Sequence, residues 1–188
     1  MAAKAAEEAL ADSGLKAEEI DLILVATCSP EQYLPCCACQ VQAAIGAVNA
    51  LAFDVNAACS GFLFALNTAD VYLRTGLAEN ALVIGSEVLS KLLDWTDRGS
   101  CILFGDGAGA VVVERCEASP GILGRALHSD GTGGGVLQCG ARELTTPYAR
   151  TSAAKTDQNQ PTDGREHYIQ MDGQEVYQFA TRRVPQCI

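Results

Sequence analysis

Apolar and polar positions follow two regimes along the chain. Short unbroken apolar runs, Asp21-Leu-Ile-Leu-Val-Ala-Thr27, Leu51 to Val55 and Asn80-Ala-Leu-Val-Ile-Gly-Ser86, predict strands buried on both faces, as in a parallel sheet. Between them lie stretches with helical spacing. Ala2 to Ser13 is rich in Ala, Glu and Leu, with Gly14 as its cap. Pro35 suits the first turn of a helix over Cys36 to Ile45, which Gly46 ends. From Ser60 onward, Leu63, Leu66, Ala69 and Leu73 share one helical face, and Gly76 is the stop signal. Strand alternating with helix predicts an α/β fold with a largely parallel sheet.

The pattern loosens further on. Leu92 to Gly99 is a polar interruption that holds the only tryptophan, Trp95. Cys101 to Phe104 and Ala110 to Glu114 predict two strands flanking Gly105-Asp-Gly-Ala-Gly109. A Rossmann fingerprint or P-loop must open a helix. Here a Val-rich strand follows, so the glycines read as backbone freedom at a tight crossing. Gly121 to His128 predicts a strand, and Gly131 to Gly135 a flexible loop. Gln138 to Glu166 has few apolar residues and reads as a surface excursion. Tyr168 to Met171 predicts a short strand. Asp172 with Glu175 is a capping-box-like start for a last helix, which the chain end at Ile188 cuts short.

Composition narrows the function classes. At 188 residues the chain makes one or two domains. Charged residues are 19%, below the roughly 25% of typical soluble domains, which agrees with segments covered on both faces. The net charge of −10 argues against a nucleic-acid partner, which needs a basic footprint. No apolar run approaches the ~18 residues of a membrane span, and the N-terminus shows no secretory pattern. Nine cysteines form no evident disulfide framework, which points to a reducing, cytoplasmic compartment. Cys36-Cys-Ala-Cys39 has CxxC spacing, but no second pair or nearby histidine completes a zinc site, so no metal is expected. It also lacks a thioredoxin-like context and reads as small buried residues along a helix; a redox module is the alternative. Cys28, Cys101, Cys116, Cys139 and Cys187 read as core filler or carry no signal.

Cys59 differs. It falls at the junction of the strand ending at Val55 and the helix starting at Ser60. A helix N-terminus offers unpaired N–H groups and a positive dipole end. Both favour a thiolate, the nucleophilic form of cysteine. Gly61 and Ala57-Ala58 leave room for a substrate to approach the sulfur. On geometry alone a buried corner cysteine is an equal reading.

The residues around it decide between these. Asp54-Val-Asn-Ala-Ala-Cys-Ser-Gly-Phe62 resembles the active-site segment of the β-ketoacyl-acyl carrier protein synthase III family. Gly85 to Val113, with Asp94-Trp-Thr-Asp-Arg-Gly99 and Phe104-Gly-Asp-Gly-Ala-Gly109, is similar to a second block of that family. Met171-Asp-Gly-Gln-Glu-Val-Tyr-Gln-Phe-Ala180 resembles the start of its second half. The resemblance implies a thiolase-like layered fold (α-β-α-β-α): the N-terminal half over 1–135, a polar excursion over 136–167, and the start of the C-terminal half over 168–188. It implies a condensing acyltransferase of fatty acid synthesis initiation. Cys59 would take an acyl group from acyl-CoA, and malonyl-acyl carrier protein would then lose carbon dioxide and attack the acyl-enzyme, a ping-pong scheme. The Cys59 N–H would contribute to an oxyanion hole.

By the same resemblance, Leu34 borders the partner's acyl pocket in a homodimer, and Met171, Gly173 and Tyr177 line the pantetheine channel. The family more often has Phe where Tyr177 stands. Arg142 or Arg150 would contact the coenzyme A nucleotide, and Arg182-Arg183 is the candidate patch for the acidic carrier protein. Coenzyme A thioesters enter as substrates, and no cofactor is implied. The family also uses a histidine and an asparagine in its second half, and neither His128 nor His167 matches them. Those residues would lie beyond Ile188, and the family's first strand is also missing, so the resemblance implies a fragment deficient in condensation. The alternatives are a non-catalytic thiolase-fold piece, or another Cys-dependent condensing enzyme of the thiolase or 3-hydroxy-3-methylglutaryl-CoA synthase type.

Overall fold

The sheet is built around β1 (Leu22–Ala26), five apolar residues that are all buried. A computed structural model describes residues 1–116, 121–140 and 167–187. The chain divides into two compact units, Met1–Leu89 with Gly105–Arg125, and Ser90–Phe104 with Ala126–Ile188.

In the first unit β1 pairs in parallel with β2 (Leu51–Val55) on one side and β3 (Asn80–Val88) on the other. β4 (Asp106–Glu114) runs antiparallel to β3, giving the order β2-β1-β3-β4. Successive strand residues point to opposite faces, and each face is closed by helices. Ile23, Val25, Leu82 and Ile84 pack against α1 (Ala2–Ser13) and α2 (Cys37–Ile45) through Ala6, Leu10, Ala38 and Val41. Leu22, Leu24, Ala26, Ala81 and Val83 pack against α3 (Gly61–Arg74) through Ala65, Ala69 and Leu73. Gly14 and Gly46 close α1 and α2 in the left-handed conformation, with φ 73° and 75°, as the sequence predicts.

Several expectations are corrected. β2 has the predicted bounds but is not buried: Leu51 is exposed, because β2 is an edge strand with a neighbour on one side only. The inner face of α3 is Gly61, Ala65, Ala69 and Leu73, while Leu63 points to solvent. Small residues win because the helix lies close to the sheet; a Cβ on Gly61 would sit 3.2 Å from Ala26 Cβ. Cys101–Phe104 is not a strand, and Gly107 and Gly109 lie inside β4, with Gly105 just before it, rather than between two strands. None of Gly105, Gly107 and Gly109 has positive φ, so the crossing reading does not hold. No strand forms over Gly121–His128.

In the second unit, β5 (Leu137–Gln138) pairs antiparallel with β6 (Gln170–Met171). Gly131–Val136 is a short 3-10 helix rather than a loop, because the Asp130 carboxylate accepts from Thr132 N at 3.0 Å and starts the turn. α4 (Gly173–Arg183) begins as its sequence predicts: Asp172 Oδ1 accepts from Gln174 N and Glu175 N, each at 3.1 Å. Among the described residues no helix is long and apolar enough to cross a membrane.

Candidate active site

The parallel register brings three chain ends to one edge of the sheet. Ala26 stands opposite Val55 and Gly85, so β1 and β2 finish together beside β3, which runs on to Val88. In open α/β sheets, ligands bind outside the carboxyl ends of the strands. Cys28 follows β1, Cys59 follows β2, and Glu87 lies near the end of β3.

Cys59 sits in a 3-10 turn, Ala58–Ser60, that feeds directly into α3. Its side chain is exposed, so the buried-corner reading fails. The turn is held by Ser60 N donating to Ala57 O at 3.1 Å. Ala58 takes φ +45°, a left-handed conformation costing an alanine about 1–2 kcal/mol. Strain of this kind persists only where surrounding structure enforces it, and it concentrates at functional sites. The enforcing contact is close by: α3 is seated on β1 by the Gly61–Ala26 approach. Ser60 makes no side-chain capping bond to the first turn of α3.

Glu87 organises the neighbouring loop. Its carboxylate accepts from Cys28 N at 2.9 Å, from Thr27 Oγ1 at 3.4 Å and from Ser29 Oγ. Ser29 Oγ in turn accepts from Val88 N at 2.8 Å. The Cys28 thiol is pushed up to about 11, first by burial, then by the charge of Glu87 and a hydrogen bond to it, with Cys59 adding to the rise. Two thiols therefore share this end of the sheet. Cys28 is held as a protonated donor, and Cys59 faces solvent at a helix start. Neither Cys28 nor Glu87 was singled out by sequence reasoning. The usable signal was position: each lies just past, or at the end of, an apolar run in a parallel sheet.

Leu34 is 86% exposed in the loop between β1 and α2. Met171 ends β6 and Gly173 opens α4, and a Cβ on Gly173 would lie 3.7 Å from Met171 Cε. Tyr177 is one turn further along α4 and 70% exposed. Arg182 and Arg183 are exposed in its last turn. His128 and His167 are exposed. Arg142 and Arg150 lie outside the described residues. All nine cysteines are free, and Cys116, Cys139 and Cys187 are exposed rather than core filler. Among the described residues no group of three or more His, Cys, Asp or Glu side chains could hold a metal ion. A cleft of about 290 Å³, lined among others by Met1, Glu31, Cys37, Gln40 and Val88, does not include Cys59.

The family model described as 3-oxoacyl-[acyl-carrier-protein (ACP)] synthase III matches residues 53–131, which include Cys59 and Glu87. The chain is 50% identical over 182 residues to the beta-ketoacyl-[acyl-carrier-protein] synthase III of Clostridium acetobutylicum, covering 97% of this chain and 53% of that protein. It is 49% identical over 185 residues to the protein of the same name from Synechococcus, covering 98% and 52%. Its fold is similar to the crystal structure of 3-oxoacyl-[acyl-carrier-protein] synthase III from Aquifex aeolicus, with TM-score 0.82 and 40% identity over 99% of this chain and 53% of that one. The chain thus spans about half the length of the curated relatives it matches.

Proposed function

We propose that the chain belongs to the 3-oxoacyl-[acyl-carrier-protein] synthase III family, with its thiolase-like fold, and that Cys59 is an acyl-accepting nucleophile. The observation that carries the proposal is the exposed Cys59 sulfur on a strained turn at the start of α3. Its thiolate attacks the thioester carbonyl of an acyl-CoA, the coenzyme A thiolate leaves, and the acyl group stays on sulfur. N–H groups of the turn, with that of Cys59 first, face the oxygen on which charge develops. The acyl-enzyme then serves a decarboxylative condensation with malonyl-acyl carrier protein.

The remaining assignments belong to the same reading. Met171, Gly173 and Tyr177 contact the pantetheine arm. Leu34, apolar yet 86% exposed, is suited to enter a second copy in a homodimer. Arg182 and Arg183 offer positive charge to an acidic carrier protein on a chain of net charge −10. We assign residues 1–135 to the nucleophile half and 168–188 to the opening of the second half. Nine free cysteines suit a reducing cytoplasm.

The test is mass spectrometry of the purified chain after incubation with acetyl-CoA. A mass gain of one acetyl group, mapped to Cys59 and absent from Cys59→Ala, is the expected result. An adduct of equal yield in Cys59→Ala, or none in a chain folded by circular dichroism, overturns the assignment.

A further inference from the structure

The CxxC segment stands differently in the structure from its reading as buried filler. Cys36 is the N-cap of α2, with φ −63° and ψ 158°, and Cys39 is the third helical residue. N-cap and N3 residues stand one above the other across the first turn of a helix. Here both are thiols. The Cys39 thiol donates to Ala52 O on β2 at 3.7 Å, and the neighbouring Cys36 side chain is the first cause that raises it above the ordinary thiol value. Both are half-buried, open enough for a small reagent.

The turn that carries them is rigid. Asp54 on β2 accepts from Cys37 N at 2.9 Å and from Ala38 N at 2.7 Å, fixing the first turn of α2 to the sheet. Cys37 lies between the pair in sequence but is set apart by its surroundings: burial and then the Asp54 charge hold it as a thiol. Two cysteines one helical turn apart at a fixed helix start need little motion to bond, whereas disulfide geometry excludes pairs that must travel.

We propose that Cys36 and Cys39 form a reversible disulfide site, oxidised by a low-molecular-weight disulfide of the glutathione class. The Cys36 thiolate attacks one sulfur of the reagent, and one glutathione thiolate leaves. Cys39 gives up its proton and attacks the Cys36 sulfur of the mixed disulfide. The second glutathione thiolate leaves, and the two departing thiolates take up the protons the cysteines released. The protein dithiol loses two electrons, and the reagent disulfide gains them.

The experiment titrates the folded chain in oxidised and reduced glutathione, quenches it with N-ethylmaleimide and maps the cysteines by fragmentation mass spectrometry. Expected is a loss of two hydrogens confined to Cys36–Cys39. It appears at an oxidised-to-reduced ratio about tenfold below that at which any other cysteine is modified. The preference is retained in Cys37→Ser and disappears in denaturant. In Cys39→Ser, Cys36 accumulates as the glutathione adduct. Full maleimide labelling of Cys36 and Cys39 under oxidising conditions overturns the proposal. So does a first disulfide between another pair, such as Cys28 and Cys59, or an equal preference in denaturant.

Discussion

Ala58 holds φ +45° immediately before Cys59, and its methyl group is what makes that conformation costly. A β-branched side chain there is a steric outlier. Ala58→Val is expected to lower stability by about 1–3 kcal/mol and to slow alkylation of Cys59, as measured by urea unfolding and iodoacetamide kinetics. Unchanged stability would mean that the turn relaxes freely. Cys28 gives a second prediction at this scale. Its folded pKa of about 11 lies above the ordinary thiol value of 9.0. Below 9 both folded and unfolded chains keep the proton. Between about 9 and 11 only the folded chain keeps it, so this contribution to stability is lost as pH rises through that window. Cys28→Ser should flatten the alkaline fall in denaturation midpoint, leaving the part due to Cys37, Cys39 and Cys139, which are also raised. Cys59 was legible from its place between strand and helix. The Ala58 strain was not, because alanine carries no sequence mark of positive φ. Glu87 was hidden inside a block of family-like residues, and only the parallel register shows that it faces the loop after β1.

At the level of elements, Asp54 couples α2 to β2 five residues before the nucleophile. It supplies the cap that Cys36 does not, since Cys36 makes no side-chain capping bond. Asp54→Ala should destabilise the chain by about 1–2 kcal/mol, and Asp54→Asn by less, read from thermal or urea unfolding. A neutral Asp54→Ala would show that the helix start is held by packing alone. The helices and parallel strands were readable because apolar period and glycine stops agree with the tertiary structure at α1, α2, β1 and β3. Disagreement came where context overrides pattern. Leu63 of α3 mimics an inner-face position yet points to solvent, whereas Gly61, Ala65, Ala69 and Leu73 are buried against the sheet. The glycines of β4 look like a turn, yet nine residues of β3 across from them draw the segment into an antiparallel ladder.

For the whole molecule, the sheet of the first unit ends in β2, an edge strand whose Leu51 is exposed, and the surface also presents Tyr33, Leu34, Leu63 and Val71. An exposed apolar edge is a template for pairing with another chain. Homodimerisation through it predicts concentration-dependent association in sedimentation velocity, and Leu51→Lys should weaken it by about tenfold or more. A chain that stays monomeric at all concentrations would remove Leu34 from the substrate site. Sequence resemblance indicated the family, while composition alone reached no further than a layered α/β protein with an acidic surface.

The most direct test of Cys59 as the nucleophile is the rate at which iodoacetamide modifies each cysteine of the folded chain at pH 8, with and without prior exposure to acetyl-CoA. Cys59 should react faster than Cys28 by about tenfold or more, given a protonated, Glu87-bonded thiol at Cys28. Acetyl-CoA should protect Cys59 and leave the other eight unchanged. Equal reactivity of Cys28 and Cys59, or a Cys59 rate that acetyl-CoA does not alter, would contradict the assignment.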